Sequence, residues 1–470
     1  MQPANRPQAR AAHIHLSFIV MGLFLILIGD TFLSEGISRT GLDNAIVSRH
    51  ITSAELYNFW DTHDQLPTIS RDYMPLGYLL EGWMMQHVSN SYLTEKVISM
   101  SLFLLCGFLI AYVWWLSGKN WRTEWIPLAF WLMVPVVNQT ATQNLIELPH
   151  TICTLIAISA QMKLYTFRRT ALNSGEPVDR RKMRSTSLFY NTGTALWLTL
   201  AFFFKGLASI YVFFYPAVVW LFSMREKIGN PLKGMLMVGL AFCLFVGGTC
   251  LISPSVRVLV GEYLSYRFQS WMHPQRFLQN IPIFWDAILQ VCFGLVTLLA
   301  VWGLSMWRGK YGSYMAYWKH RDKLLPQEYE NVRQAYIHFT LAIIGAFTVL
   351  FDENPQVYSL LPALPMAAYG CSFVAHNTIV RLCNRSTDIT NGILAALATM
   401  LITIGLIVNF SHIDRYVPEE KDVLSDLHVI IPSLKEGTTV SVTPELFEND
   451  GARAYFLRYK SITFDTQLVH

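Results

Sequence analysis

The sequence predicts an all-α polytopic membrane protein, and three observations predict it. Charged residues make up 14% of the 470-residue chain, hydrophobic residues 53% and aromatic residues 14%, with a mean hydropathy of +0.33; soluble domains carry about 25% charged residues. The apolar residues gather in runs of roughly 20, the length a helix needs to cross about 30 Å of hydrocarbon. Lysine and arginine recur in alternate connections between those runs, the bias that marks cytoplasmic loops. The net charge of +4 points to no nucleic-acid partner, because the basic residues sit in short loops between spans.

The N-terminal segment places Arg6 and Arg10 before an apolar core that runs to Leu33. No small-residue cleavage site follows, so the segment reads as an uncleaved first span and not as a signal peptide. About eleven spans are expected, near 14–34, 97–117, 124–138, 147–166, 188–204, 206–223, 233–252, 282–306, 335–351, 357–376 and 390–410. With a cytoplasmic N-terminus, the inner loops hold Lys119 and Arg122; then Arg168, Arg169, Arg180, Arg181, Lys182 and Arg184. Next come Arg225, Lys227 and Lys233; then Arg308, Lys310, Lys319, Arg321 and Lys323; finally Arg381 and Arg385. Every inner loop is basic, which sets the expected orientation. The seven cysteines lie within spans or, for Cys383, in a basic loop, so no disulfide framework is expected.

The outer side then carries the long loop 35–96, shorter loops near 139–146, 253–281 and 352–356, and the tail. That tail, residues 411–470, follows a transmembrane part of 1–410 and holds VIIPSL, TTVSVT and YKSITFD, which alternate like strands between turn residues. It reads as a small α/β domain on the outer face. Loop 35–96 is too long for a plain connection. Its segments AIVSRHITSAELYNFW and PLGYLLEGWMMQHV have apolar residues at helical spacing, so two helices are expected to lie in the membrane interface. Pro75 falls in the first turn of the second, where proline is tolerated.

Several polar residues cluster at the outer ends of spans. Arg39, Arg49, Arg71, Arg257, Arg267 and Arg276 all fall on the outer side, against the charge bias. Singly, each can anchor to a lipid headgroup; as a set they suit phosphate, which a guanidinium fork binds through two bonds. Lys205 in FFFKG ends a span, where it either snorkels or serves the same anion, and the glycine after it allows a break in the helix. Thr40-Gly-Leu-Asp43 fits a capping box, while its place at the membrane surface equally suits Asp43 as a general base. Glu147 opens a span in QNLIELPH, where the helix macrodipole favours an acid. Asp30 near the end of the first span is costly unless paired. His273 in WMHPQRF has Arg276 three residues on.

These residues carry a resemblance. The chain resembles the polyprenyl-phosphate-sugar-dependent glycosyltransferases of the C-type fold, the group of the protein O-mannosyltransferases and the lipid A aminoarabinose transferase, and most of all their uncharacterised bacterial relatives. TGLDNAIVSR is similar to the second half of the family's first-loop pattern through Ala45, Val47, Ser48 and Arg49. Asp72-Tyr-Met-Pro75-Leu76 is similar to its acidic-basic-Pro-Pro-Leu motif, FFFKG to its Lys-Gly span entry, and MHPQRF to its Glu-His-x-x-Arg-Phe segment through His273 and Arg276. YSLLPALP, with Tyr358, Pro362 and Pro365, resembles its Tyr-x-x-x-Pro-x-x-Pro span, and GARAYFLRYKSITF the tail of the bacterial relatives.

The resemblance implies a multi-pass protein of the bacterial inner membrane with a periplasmic site. There a sugar moves from a polyprenyl phosphate to an acceptor hydroxyl on a lipid, glycan or protein, with inversion at the anomeric carbon. Asp43 is then the expected base, with Asp72 and Glu147 completing the acidic set. Arg49, Lys205, His273, Arg276 and Tyr358 are the expected substrate-binding residues. In register with the family, its catalytic aspartate falls on Thr40, one helical turn before Asp43; Asp72, Asp30 or Glu35 stays open as a substitute. Asn44 takes the pattern's Tyr position, Tyr73 its Lys/His position, and Asn354 lies where a lysine often precedes Tyr358. Asp72 and His273 match positions associated with a metal in the aminoarabinose-transferase branch, so a divalent metal is open too. Two rival expectations are a transporter or flippase of lipid-linked substrates and a non-catalytic lipid-binding relative.

Overall fold

A computed structural model of the chain describes residues 7–29, 31–34, 44, 47–48, 59, 73–88, 91–143, 146–173, 180–223, 229–271, 278–282, 285, 326–350, 352, 357–413, 415, 426, 429–435, 437–443, 456 and 463–465. Helices dominate it. They are α1 (Pro7–Leu27), α2 (Leu76–His87), α3 (Tyr92–Leu116), α4 (Trp125–Leu132), α5 (Pro135–Thr140), α6 (Glu147–Asn173) and α7 (Arg180–Lys205). After a 3₁₀ stretch at Gly206–Phe214 come α8 (Tyr215–Ser223), α9 (Gly229–Ile252), α10 (Pro254–Trp271), α11 (Pro326–Val349), α12 (Leu364–Cys383) and α13 (Asp388–Ser411). Among the described residues six stretches are long and apolar enough to cross a membrane: Pro7–Leu27, Leu93–Leu116, Arg181–Phe222, Pro231–Ile252, Glu330–Val349 and Asp388–Ser411.

Contacts along the helices fix their directions. Helices α6 and α7 run antiparallel: Arg168 Nη2 donates to Ser187 Oγ at 2.8 Å near one end. Midway, Gln161 donates to Asn191 and Thr194, and Lys205 meets Glu147 at the other end. A straight 42-residue helix over Arg181–Phe222 would be about 63 Å long, twice the hydrocarbon thickness. The chain instead turns back at Gly206 and descends antiparallel to α11. Thr348 Oγ1 donates to Ala208 O at 3.3 Å at one end, and the rings of Phe222 and Tyr336 stack at 5.5 Å toward the other. The turn falls at the predicted boundary between 188–204 and 206–223.

Helices α1 and α13 pack side by side and parallel. An added Cβ at Gly22 would sit 2.9 Å from Ile402 N, and one at Gly405 would sit 2.6 Å from Leu25 Cβ, so the two backbones touch where side chains are absent, as small residues permit between membrane helices. Asn409 Nδ2 donates to Leu25 O at 2.7 Å and Asn391 Nδ2 to Gln8 O at 3.0 Å. Both helices start at the same end of the bundle. The tail after α13 therefore leaves from the same end as the loop after α1, as the basic-loop count predicts.

Four expectations change. The predicted span 124–138 is two short helices, because Pro135 cannot continue α4; Asn138 Nδ2 donates to the freed Leu132 carbonyl at 2.7 Å. The predicted span 357–376 starts as a 3₁₀ turn at Val357–Leu360 and becomes α12 only at Leu364, past Pro362. Residues 254–271, expected as loop, form α10, opened by a proline at its first position, where the ring fits. VIIPSL, expected as strand, gives a 3₁₀ turn at Ile431–Ser433 because Pro432 lacks the N–H a ladder needs. The other two tail segments do pair, as parallel β1 (Thr439–Ser441) and β2 (Thr463–Asp465), with Val440 opposite Phe464. Of the predicted span 282–306, only residues 282 and 285 are among those described.

Two apolar clusters hold the fold. The larger joins α1, α3 to α7, the returning segment, α11 and α12, with Trp114, Trp131, Tyr211 and Tyr369 fully buried. The smaller gathers Val47, Phe59, Met74, Tyr78, Ile146, Phe202, Phe204, Leu259 and Tyr263. It brings the first long loop, α2, the start of α6, the end of α7 and α10 together at one end of the bundle.

Candidate active site

At that end the chain breaks α7 and buries a charged pair beneath the break. Lys205 is the last residue of the helix and leaves helical geometry (φ −144°, ψ 36°). Gly206 follows at φ +55°, a left-handed conformation that glycine adopts without the steric cost of a Cβ. The carbonyls of a last helical turn need partners, and Met74 N–H supplies one to Phe204 O at 3.2 Å. The first long loop is thus bonded directly to the end of α7.

The Lys205 ammonium points inward. Its Nζ lies 2.8 Å from Glu147 Oε1, with 1% exposure of both side chains. It also donates to Ser359 Oγ at 2.9 Å and stands 5.0 Å from the centre of the Tyr73 ring, within cation–π range. Tyr73 donates its hydroxyl to the same carboxylate oxygen at 2.8 Å. Burial, and next the Glu147 charge, hold the Tyr73 phenol well above its usual pKa, so it stays a donor. Both bonds that the described residues give to Glu147 fall on Oε1. One turn deeper on α6 lies His150, fully buried, with neither ring nitrogen hydrogen-bonded among the described residues.

A second buried ion pair braces this site from α10. Arg267 Nη2 lies 2.8 Å from Asp352 Oδ1, with 4% and 2% exposure. Arg267 Nε also donates to the Tyr263 hydroxyl at 3.1 Å, and that hydroxyl accepts Leu207 N–H at 2.8 Å. Asn280 Nδ2 donates to the carbonyls of Leu350 and Asp352, both at 2.9 Å. Arg267, expected among the phosphate-seeking arginines, is committed to a carboxylate here.

Of the expected site residues, the structure brings together Glu147, Lys205 and Tyr358, which neighbours Ser359 and lies close enough to Tyr73 to interact with it electrostatically. Asp43, Arg49, Asp72, His273 and Arg276 lie outside the described residues, as do Asp30, Glu35, Arg39 and Arg71. Their immediate neighbours are placed: Ser48 Oγ donates to Glu81 Oε2 on α2 at 2.8 Å, and Gly82 lets the Ser48 carbonyl approach α2 where a Cβ would overlap it. Val47 and Met74 share the smaller apolar cluster with Phe204. Helix α2 falls on the second of the two segments expected to be helical; of the first, only Val47, Ser48 and Phe59 are among the described residues. Among the described residues no group of three or more His, Cys, Asp or Glu side chains is arranged to hold a metal.

The sequence reading missed Tyr73 as a ligand of Glu147, and missed Ser359, Tyr263 and Asp352 entirely. Their signals were faint: Ser359 is the residue after Tyr358 in the YSLLP segment, and Asp352 is an acid at a span end with no basic neighbour in sequence.

No family model matches the chain, and no curated protein sequence matches it. Solved structures do match in shape. The crystal structure of ArnT from Cupriavidus metallidurans bound to undecaprenyl phosphate superposes with a TM-score of 0.53 at 10% identity, over 96% of this chain and 85% of that one. The apo-state crystal structure of the same protein superposes at 0.34, with 10% identity over 87% and 90% of the two chains. The first of these shows a shared fold, that of a polytopic membrane protein, over nearly the whole chain.

Proposed function

We propose that the chain is a membrane glycosyltransferase that moves a sugar from a polyprenyl phosphate to an acceptor hydroxyl at the Lys205 end of the bundle. The observation that carries this reading is the buried Lys205–Glu147 pair, set where the first long loop, α7 and α10 converge in a fold shared with a protein crystallised with undecaprenyl phosphate. Attack of the hydroxyl on the anomeric carbon breaks the bond to the phosphate oxygen, and negative charge accumulates on the departing lipid phosphate. Cations placed against that charge stabilise the transition state. Lys205 fits this role by sharing its donors: an ammonium has three N–H bonds to give, and among the described residues Glu147 Oε1 and Ser359 Oγ take two of them, so a phosphate can meet the third without leaving Glu147 unmatched.

The acceptor proton needs a base within hydrogen-bond reach. Asp43 remains the proposed base, with Asp72 and Glu147 as supporting carboxylates and Arg49, His273, Arg276 and Tyr358 as substrate ligands. The positive-inside bias and the parallel run of α1 and α13 support a periplasmic location for this end, in the inner membrane. A divalent metal stays part of the reading only through Asp72 and His273.

The test is transfer. Purified protein in nanodiscs, given radiolabelled polyprenyl-phosphate sugars and envelope extract, is expected to label an acceptor, and Asp43→Asn to abolish the label. Movement of lipid across proteoliposomes without any sugar transfer would replace this reading by a flippase. Binding of the lipid with neither transfer nor movement would replace it by a non-catalytic relative.

A further inference from the structure

The break after α7 does more than end a helix. An added Cβ at Gly206 would overlap the Tyr263 hydroxyl, so that phenol fills the space left by the missing side chain. The same oxygen accepts Leu207 N–H at 2.8 Å, the second amide past the break, and Arg267 Nε–H at 3.1 Å. Tyr263 is fully buried, its ring edge-on to Phe202 of α7 at 5.5 Å. Residues 263 and 267 are one turn apart on α10 and so share a face. The far side of the guanidinium is held 2.8 Å from Asp352, just beyond the end of α11.

We infer that Tyr263 and Arg267 are positioning residues for Lys205: they lock the Gly206 turn, and the turn aims the ammonium at Glu147 and Ser359. The argument is geometric. Lys205 has one backbone neighbour on its C-terminal side, Gly206, whose left-handed conformation is open to many alternatives in a free chain. The side-chain contact on that glycine and the hydrogen bond on the residue after it both come from Tyr263. Arg267 in turn is fixed at both ends, by Tyr263 and by Asp352. Helix α10 therefore sets the direction of Lys205 through the turn that follows it. The functional consequence rests on the phosphate-binding reading above; the positional one does not.

Two readouts keep them apart. The first is acylation of lysines by acetic anhydride in nanodiscs, followed by mass spectrometry, with Lys96 as an internal control. Lys96 is equally buried but is held by Thr31 and Ser34, away from the turn. Tyr263→Phe keeps the ring and removes the hydroxyl; it is expected to raise Lys205 labelling at least about fivefold while Lys96 stays protected. Arg267→Lys retains a cation for Asp352 but loses the bond to Tyr263, and is expected to give an intermediate rise. The second readout is affinity for undecaprenyl phosphate, expected to weaken about tenfold in Tyr263→Phe, in line with one lost hydrogen bond. Unchanged Lys205 labelling in Tyr263→Phe overturns the inference, and so does a rise that Lys96 shares, which would report general loosening. Raised Lys205 labelling in a protein that binds no undecaprenyl phosphate upholds the positioning and retires the phosphate reading instead.

Discussion

Removing one partner of the Lys205–Glu147 pair should cost far more than removing both. At 2.8 Å and an effective dielectric of about 20, the attraction between unit charges is about 6 kcal/mol. Much of that offsets the desolvation of two groups with 1% exposure, so the pair's net value is small. The loss on breaking it is nonetheless large, about 3–5 kcal/mol, because a charge is left buried and unmatched. Glu147→Gln keeps an acceptor oxygen for Tyr73 and isolates the Lys205 charge; Lys205→Met does the reverse. Each single variant is expected to lose about 3–5 kcal/mol, while the double variant loses far less than either, a coupling of at least about 3 kcal/mol. Denaturant unfolding in detergent, followed by the fluorescence of the fourteen tryptophans, measures all four corners of the cycle. Single variants that unfold within about 1 kcal/mol of the wild type, in the range of surface substitutions, would refute the buried pair.

Three further outcomes follow from other parts of the fold. Gly206→Ala forces an L-residue to φ +55° and drives its Cβ into Tyr263; conformational cost and overpacking together predict a loss of about 3 kcal/mol in the same unfolding assay. Gly405→Leu should wedge α13 from α1, since even a Cβ there would lie 2.6 Å from Leu25 Cβ; disulfide formation between cysteines placed at Gln8 and Asp388, hydrogen-bonded at 3.3 Å in the wild type, should fall. Lys119, outside the spans, has its pKa lowered to about 8, chiefly by burial and only partly offset by Glu330. The unfolded state then binds more protons above that value, so stability should rise with pH from about 8 towards the free-lysine range near 10.4. Lys119→Met should flatten that slope in thermal unfolding scans.

Much of this architecture was legible in the sequence because it depends on local signals. Apolar runs located the helices, and the basic loops put the exits of α1 and α13 at one end. Glu147 and Lys205 each stood out as an ionisable group at a span end. Their pairing did not, because 58 residues separate them in sequence and only the antiparallel register of α6 and α7 brings them together. Tyr73 was visible only as a departure from a family pattern, yet its hydroxyl completes the carboxylate's environment. The Arg267–Asp352 pair was hidden for the same reason: the carboxylate comes from a different helix end, and a pattern read along the chain cannot see across the bundle. Local proline chemistry accounts for the other differences, at Pro135, Pro254, Pro362 and Pro432.

The most direct test of the central claim is native mass spectrometry of the protein with undecaprenyl phosphate and, separately, with undecaprenol, which lacks the phosphate. The account predicts that wild-type protein retains the phosphorylated lipid in clear preference, and that Lys205→Met abolishes the preference. Equal retention of the two lipids, or a preference that survives in Lys205→Met, would contradict it.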